Sequence, residues 1–346
     1  MRLLDRVARC RAPFALALDH HPSAPFQVTG PSSYAARVAD CPLRFVLGDD
    51  LTRACAELAF ADGARLAGCL DLLRMPAQHL WIEWSDEVHK RVIYETHSAA
   101  EYDAASSGRR VGVLLEGSAD GYRAVLRTFW ADSAHDETEV MLSPMETHVN
   151  LRGEFSGASD ISGVLAGGFA RVDQPDDAAM SCLLDHVRFR FDDTWAACYQ
   201  AAAISSLTQS EVLHGSLAAV ARDTPLILAF LLLLSAKDAT RSIPVSRTVI
   251  NRKRQMHGRP PLLDHIEVRA SLDAVQAADS KGFEATGRHS PRLHHVRGHL
   301  VRREDRIFWR VPHLRGSAAR GMVRSRTVCL SIAQPRAFEW RGAGRA

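Results

Sequence analysis

The sequence predicts an α+β fold, with mixed helices and antiparallel strands and a basic C-terminal hairpin or sheet module. Three observations predict it. Apolar residues fall at helical spacing after Asp49, strand-like segments follow from His79 to Leu142, and apolar and charged residues alternate between Arg292 and Gly316.

Residues 1–48 are interrupted by Pro13, Pro22, Pro25, Pro31 and Pro42. Asp49-Asp50 cap a helix reaching about Met75, with Leu51, Ala54, Leu58, Leu66, Leu70 and Leu73 on its apolar stripe. Gly63 is a point where it can break, and Pro76 ends it. Strands are expected at His79–Trp84, Val88–Thr96, Arg110–Glu116, Tyr122–Trp130 and Glu139–Leu142. Helices are expected from Thr194 to Leu207 and from Ser210 to Arg222. Thr224 reads as the N-cap and Pro225 as the first turn of another helix, running to about Ala239. Its apolar run, Leu226 to Leu234, is nine residues long. A membrane span needs about 20, so the run is expected to be a buried core helix.

A further helix begins near Ser246 and ends at Gly258 ahead of Pro260-Pro261. Arg247, Arg252, Lys253 and Arg254 make it strongly basic. Asp264 to Ala270 alternates like a half-buried strand, and residues 271–291 read as an exposed polar loop.

The net charge of +3 hides an asymmetry. Residues 241–346 hold 22 Lys and Arg against 8 Asp and Glu, whereas residues 1–240 hold 21 against 32. The chain thus divides into an acidic α+β part (1–240) and a basic Arg/His-rich module (241–346), with the apolar helix before residue 240 expected to supply a shared core. Such a split implies a polyanionic partner for the basic part, or an electrostatic contact between the two parts. The seven cysteines include no CxxC pair, as expected of reduced thiols in a cytoplasmic protein. No secretory leader and no membrane association are expected from the charged N-terminal residues.

The densest chemistry lies in RLHHVRGHLVRREDRIFWRVPHLRG, Arg292 to Gly316. A two-residue turn at Glu304-Asp305 sets Arg303 opposite Arg306, Val301 opposite Phe308, His299 opposite Arg310 and Val296 opposite His313. Val296, Gly298, Leu300, Ile307, Trp309 and Val311 then share an apolar side. His295, Arg297, His299, Arg303, Arg306, Phe308 and Arg310 share the other. A cationic face with an interleaved aromatic suits phosphate contact and base stacking. A third strand is expected from Arg326 to Ile332.

The order NRKRQMHGRPPLLDHIEV, a polar loop, then HHVRGHLVRR and RIFWRVPHLRG resembles a group of bacteriophage and prophage-type proteins. They share a basic helix ending in a Gly-x-Pro-Pro-Leu segment, a strand with an Arg-Gly-His core and a Trp-containing partner strand. The matching residues are Arg259 to Leu262, Arg297-Gly298-His299 and Trp309, and MPAQHLWIEW near residue 80 extends the likeness. The resemblance covers about the last hundred residues. It implies a mobile-element context and carries no activity.

No GxSxG, P-loop, GxGxxG, HExxH or EF-hand pattern is present. His295 and His299 would stand about 13 Å apart along a strand, too far to share an ion, so neither a metal nor a cofactor is expected. Glu83, Asp86, Glu87 and Glu116 are the carboxylates that neighbouring strands could pair. Three functions stay open. The first is nucleic-acid (DNA or RNA) binding with little sequence preference, through Arg252, Lys253, Arg254 and the cationic sheet face. The second is a nuclease-like activity using a His299/Arg310 couple on that face. The third is an oligomeric interaction protein whose acidic and basic parts dock.

Overall fold

A computed structural model of the chain describes residues 2–9, 14–16, 26–28, 33–97, 108–131, 140–153, 155, 163–164, 167–172, 182–193, 195, 206–271, 292–296, 299–304, 306–310, 313–315 and 317–322. Its helices are α1 (Leu3–Arg9), α2 (Ser33–Asp40), α3 (Asp49–Ala67), α4 (Asp86–His97), α5 (Ser206–Ser235) and α6 (Thr248–Met256). Its strands are β1 (Phe14–Leu16), β2 (Phe26–Val28), β3 (Leu43–Leu47), β4 (His79–Ser85), β5 (Arg110–Gly117), β6 (Arg123–Ala131), β7 (Met141–Asn150), β8 (Phe169–Ala170) and β9 (Val187–Phe191). They continue with β10 (Thr240–Val245), β11 (His265–Ala270), β12 (Arg292–Val296), β13 (His299–Arg303), β14 (Arg306–Arg310), β15 (His313–Arg315) and β16 (Ser317–Met322). The class is α+β, with helices packed on a mixed, mostly antiparallel sheet.

The central sheet runs β10-β11-β3-β4-β5-β6-β7-β1-β2, with β9 also on β7 and β8 on β9. β11, β3 and β4 are parallel to one another, while β4 through β7 form an antiparallel meander. The sheet therefore continues across residue 240, since β10 and β11 extend its edge beside β3. The 3-10 turn Leu70–Leu72 follows α3, which kinks at Asp62, next to the expected break at Gly63.

The two sheet faces are distinguishable by strand alternation. Val46 pairs with Glu83, whose carboxylate bonds α1, whereas its neighbour Phe45 stacks edge-on against Phe230 of α5 at 5.6 Å. So α1 and α5 cover opposite faces. Trp81 and Phe129, with Tyr34 of α2 at 6.1 Å from Phe129, place α2 on the α1 side. Leu226 to Leu233 of α5 are all buried, and they join Leu80, Ile82, Trp84 and Val268 in the main core.

Three elements differ from the sequence expectation. Residues 88–96 are helical within α4, not a strand. Asp86–Lys90 and Glu87–Arg91, both 2.9 Å and four residues apart, support the helix, and Val92 and His89 are buried. Thr224-Pro225 does not start a helix but lies inside the 30-residue α5. Thr224 Oγ1 donates back to the Val220 carbonyl at 2.7 Å, and burial of the leucine run outweighs a proline cost of about 3 kcal/mol. β7 extends far beyond Leu142 because Pro144 sits where the β6–β7 register shifts, so its missing N–H breaks no regular rung. By length and composition, Leu213–Ser235 is apolar enough to cross a membrane, and 72% of its most apolar stretch is buried against the protein itself.

The C-terminal strands keep the expected register. His299 pairs with Arg310, Leu300 with Trp309, Val301 with Phe308 and Arg303 with Arg306, and β12–β15 continues it with Val296 opposite His313. Glu304 takes φ +50°, the positive value a two-residue hairpin turn requires. β16 lies parallel to β12. The expected strand Arg326–Ile332, the loop body 272–291 and most of the helix expected at 194–207 lie outside the described residues.

Candidate functional site

The hairpin β13–β14 is docked, not free. Leu300 and Ile307 are buried in the main core, and Trp309 packs half-buried against it. Arg302, on that inner side, forms a forked pair with Asp71 at 2.7 and 3.0 Å and also donates to the Gly68 carbonyl. That leaves Arg303, Arg306 and Arg310 exposed on the outer side, with His299, Val301 and Phe308 half-exposed among them. His295 belongs to β12 by its backbone, and Arg297 lies outside the described residues.

α6 presents a second cationic surface. It buries none of its residues, and Val249 and Met256 are 71% and 83% exposed. Asn251 pins it by a reciprocal pair with the Leu262 backbone, at 2.7 and 2.8 Å, and Arg254 donates to the Pro260 carbonyl. Arg252 and Lys253 are exposed and form no ion pair among the described residues. Gly258 ends the helix at φ +64°, as its sequence position foretells.

The sequence-expected carboxylates do not gather into one site. Glu83 is fully buried and receives the Leu3 and Leu4 N–H groups at 3.1 and 2.9 Å, the Trp81 indole N–H, and Arg110. It thereby caps α1 and ties it to the sheet. Glu116 joins Arg37 and Arg127, and Glu87 pairs with Arg91 on the surface. Asp86 meets His89 and Asp223, with ligand-type atoms all within 4.8 Å of one another. His89 Nδ1 lies 3.3 Å from Asp223 Oδ1, and Lys90 pairs with Asp86 at 2.9 Å. Burial pushes the Asp223 carboxyl up, against the pull of His89.

A polar cluster of which the sequence singled out only Glu116 forms on the α2 side. Arg127 reaches Glu116, Glu146 and Asp192 and stacks at 5.5 Å over Tyr34. Burial pushes the Glu146 carboxyl upward, but the 3.2 Å contact with His148 and the Arg127 charge outweigh it and hold it at about 2. Register explains the gathering, since Arg127 pairs with Glu146 and Glu146 with Arg190 across adjacent strands. The only sequence signal is alternation, which assigns these side chains to one face without revealing which strands adjoin.

No protein-family model, curated protein or solved structure matches the chain.

Proposed function

We propose that the chain binds nucleic acid with little sequence preference, using α6 and the outer side of the C-terminal hairpin. The observation that carries this reading is α6, a cationic helix that buries none of its own residues while displaying Arg252 and Lys253 beside exposed Val249 and Met256. A helix left unpacked by its own fold gains its contacts elsewhere, and Arg and Lys favour the phosphate backbone. The outer hairpin side adds Arg303, Arg306 and Arg310, with Phe308 available for stacking on an unpaired base. The phage-type resemblance of the same hundred residues supports an accessory role in a mobile element. The test is a mobility-shift titration with single-stranded and duplex oligonucleotides at two salt concentrations. Binding should weaken steeply with salt, since phosphate contacts release counterions. No binding at low salt removes the proposal.

A further inference from the structure

Arg2, Arg110 and Arg247 line one cavity of about 340 Å³ together with Asp5 and Leu262. They come from the residue before α1, the first residue of β5 and the N-cap of α6. The neighbouring carboxylates are largely engaged. Glu83 already accepts from two α1 N–H groups, the Trp81 indole and Arg110. Asp5 accepts the Leu263 N–H at 2.8 Å, and Glu267 is forked by Arg269 at 2.6 and 2.9 Å.

Two buried guanidinium nitrogens here lack a partner. Arg110 Nη2 and Arg247 Nε, on the lining residues, make no hydrogen bond. His265, 5% exposed beside them, donates Nδ1–H to the Leu263 carbonyl, so its Nε2 is an acceptor in the neutral ring and is not among the donors that an anion would satisfy. Leaving buried charged donors unsatisfied is costly. The crowding is also visible in Arg2, whose guanidinium is pulled below its ordinary value by burial and by Arg110 and Arg247. An oxyanion entering the cavity supplies the missing acceptors, and guanidinium forks match its geometry. The lining carries three positive charges against that of Asp5. The surplus is two, or one if Glu83 behind Arg110 is counted. A phosphate group, which exchanges between mono- and dianion near neutral pH, suits either count. The volume lies in the range of small-ligand sites.

We infer that this cavity binds a phosphate group, held by Arg2, Arg110 and Arg247. The phosphate belongs to a free phosphorylated small molecule or to a nucleic-acid terminus. The inference does not rest on nucleic-acid binding by the outer surfaces.

Isothermal titration of the full chain tests it, with pyrophosphate, inorganic phosphate, adenosine monophosphate and acetate, in chloride buffer. A parallel arm compares oligonucleotides ending in 5′-phosphate or 5′-hydroxyl. At least one phosphate-bearing ligand should bind at least tenfold more tightly than acetate. Arg247→Gln and Arg2→Gln should each weaken that binding about tenfold or more, with folding checked by circular dichroism. Arg110 is left intact because it also neutralises Glu83. Arg252→Gln with Lys253→Gln should leave the binding of the free phosphate ligands, and the ratio of affinities for 5′-phosphate and 5′-hydroxyl oligonucleotides, unchanged, which separates failure of this site from failure of the outer surface. A preference confined to the 5′-phosphorylated oligonucleotide assigns the group to a nucleic-acid end, and binding of the free ligands assigns it to a small molecule. The inference is overturned if no phosphate-bearing ligand binds at millimolar concentration. Acetate binding as well as phosphate, or full binding in a folded Arg247→Gln variant, overturns it too.

Discussion

The two faces of the central sheet are built on different physics. The face under α3, α4 and α5 is held by area: Phe45, Leu80, Ile82, Trp84 and the buried leucines of α5 remove apolar surface from water. The face under α1 and α2 is held in large part by charges that must be matched one by one, at Glu83–Arg110 and at Arg127 with Glu116 and Glu146. An apolar face tolerates a truncation in proportion to the cavity it leaves. A buried ionic face does not, because the abandoned partner stays behind.

The largest expected effect is at Glu83. Glu83→Ala uncaps α1 and leaves Arg110 facing a buried void, so it should cost about 3–5 kcal/mol. Leu231→Ala on the other face should cost about 2–5 kcal/mol, set by how far the site collapses. Urea unfolding measures both. The discriminating variant is Glu83→Ala combined with Arg110→Ala. It should recover part of the Glu83→Ala loss, since the orphaned charge is gone. Strict additivity of the two single losses would show that the pair is not what holds this face.

Gly112 marks a close approach of backbone to ring on the ionic side. A Cβ there would stand 2.2 Å from the Trp81 ring, with Trp81 fully buried and braced by Phe129 at 5.7 Å. Gly112→Ala should therefore cost about 1–3 kcal/mol through overpacking. Gly215→Ala, inside α5 with open space around its Cβ position, should instead stabilise by about 0.4–1 kcal/mol. Thermal melts of the two variants should move in opposite directions.

The comparison sharpens with pH, because the ionic face holds Glu146 and His265, two groups whose proton affinity changes on folding in separate pH windows. Glu146 is held at about 2 in the folded chain against its ordinary 4.5. Its stabilisation is complete above the ordinary value and is lost as pH falls from 4.5 toward 2. His265 lies the other way. Burial foremost, then Arg2 and Arg247, pull its imidazole below 6.5 against the Leu263 hydrogen bond. The unfolded chain takes up that proton first, so stability declines as pH drops below 6.5. Glu146→Gln should flatten the lower window and His265→Gln the upper one, in denaturant midpoints measured across both. Leu231→Ala should shift every midpoint and flatten neither.

What was legible in the sequence follows the same division. Local patterns carried the C-terminal hairpin: alternation plus one turn specified His299 opposite Arg310 and every pair inward to Arg303 and Arg306. They carried α6 as well, through Gly258 and the prolines beyond it. They misled where local propensity and packing disagree. Val92 and Ile93 favour a strand, but ion pairs at four-residue spacing keep them helical. Thr224-Pro225 has the form of a helix start, and core burial runs the helix through it. The ionic clusters were illegible for another reason. Arg2, Arg110 and Arg247 are brought together by strand order and by the docking of α1 on Glu83 and Leu263, and nothing near any of them in the chain reveals the other two.

The smallest stability change belongs to α6, which is part of neither face. Arg252→Gln with Lys253→Gln removes two exposed charges that pair with nothing among the described residues, so stability should stay within about 0.5 kcal/mol of wild type. If α6 lies on a phosphate backbone, the same variant should weaken oligonucleotide binding at every sequence tested. It should also reduce the slope of log affinity against log salt by about two, one for each phosphate contact removed. A variant with unaltered stability and an unaltered salt slope would take α6 out of the interface and leave the hairpin as the surface to test. Arg303→Gln with Arg310→Gln makes that second measurement on the outer side of β13–β14. It too should leave stability nearly unchanged, because Leu300 and Ile307 anchor the hairpin from its inner side.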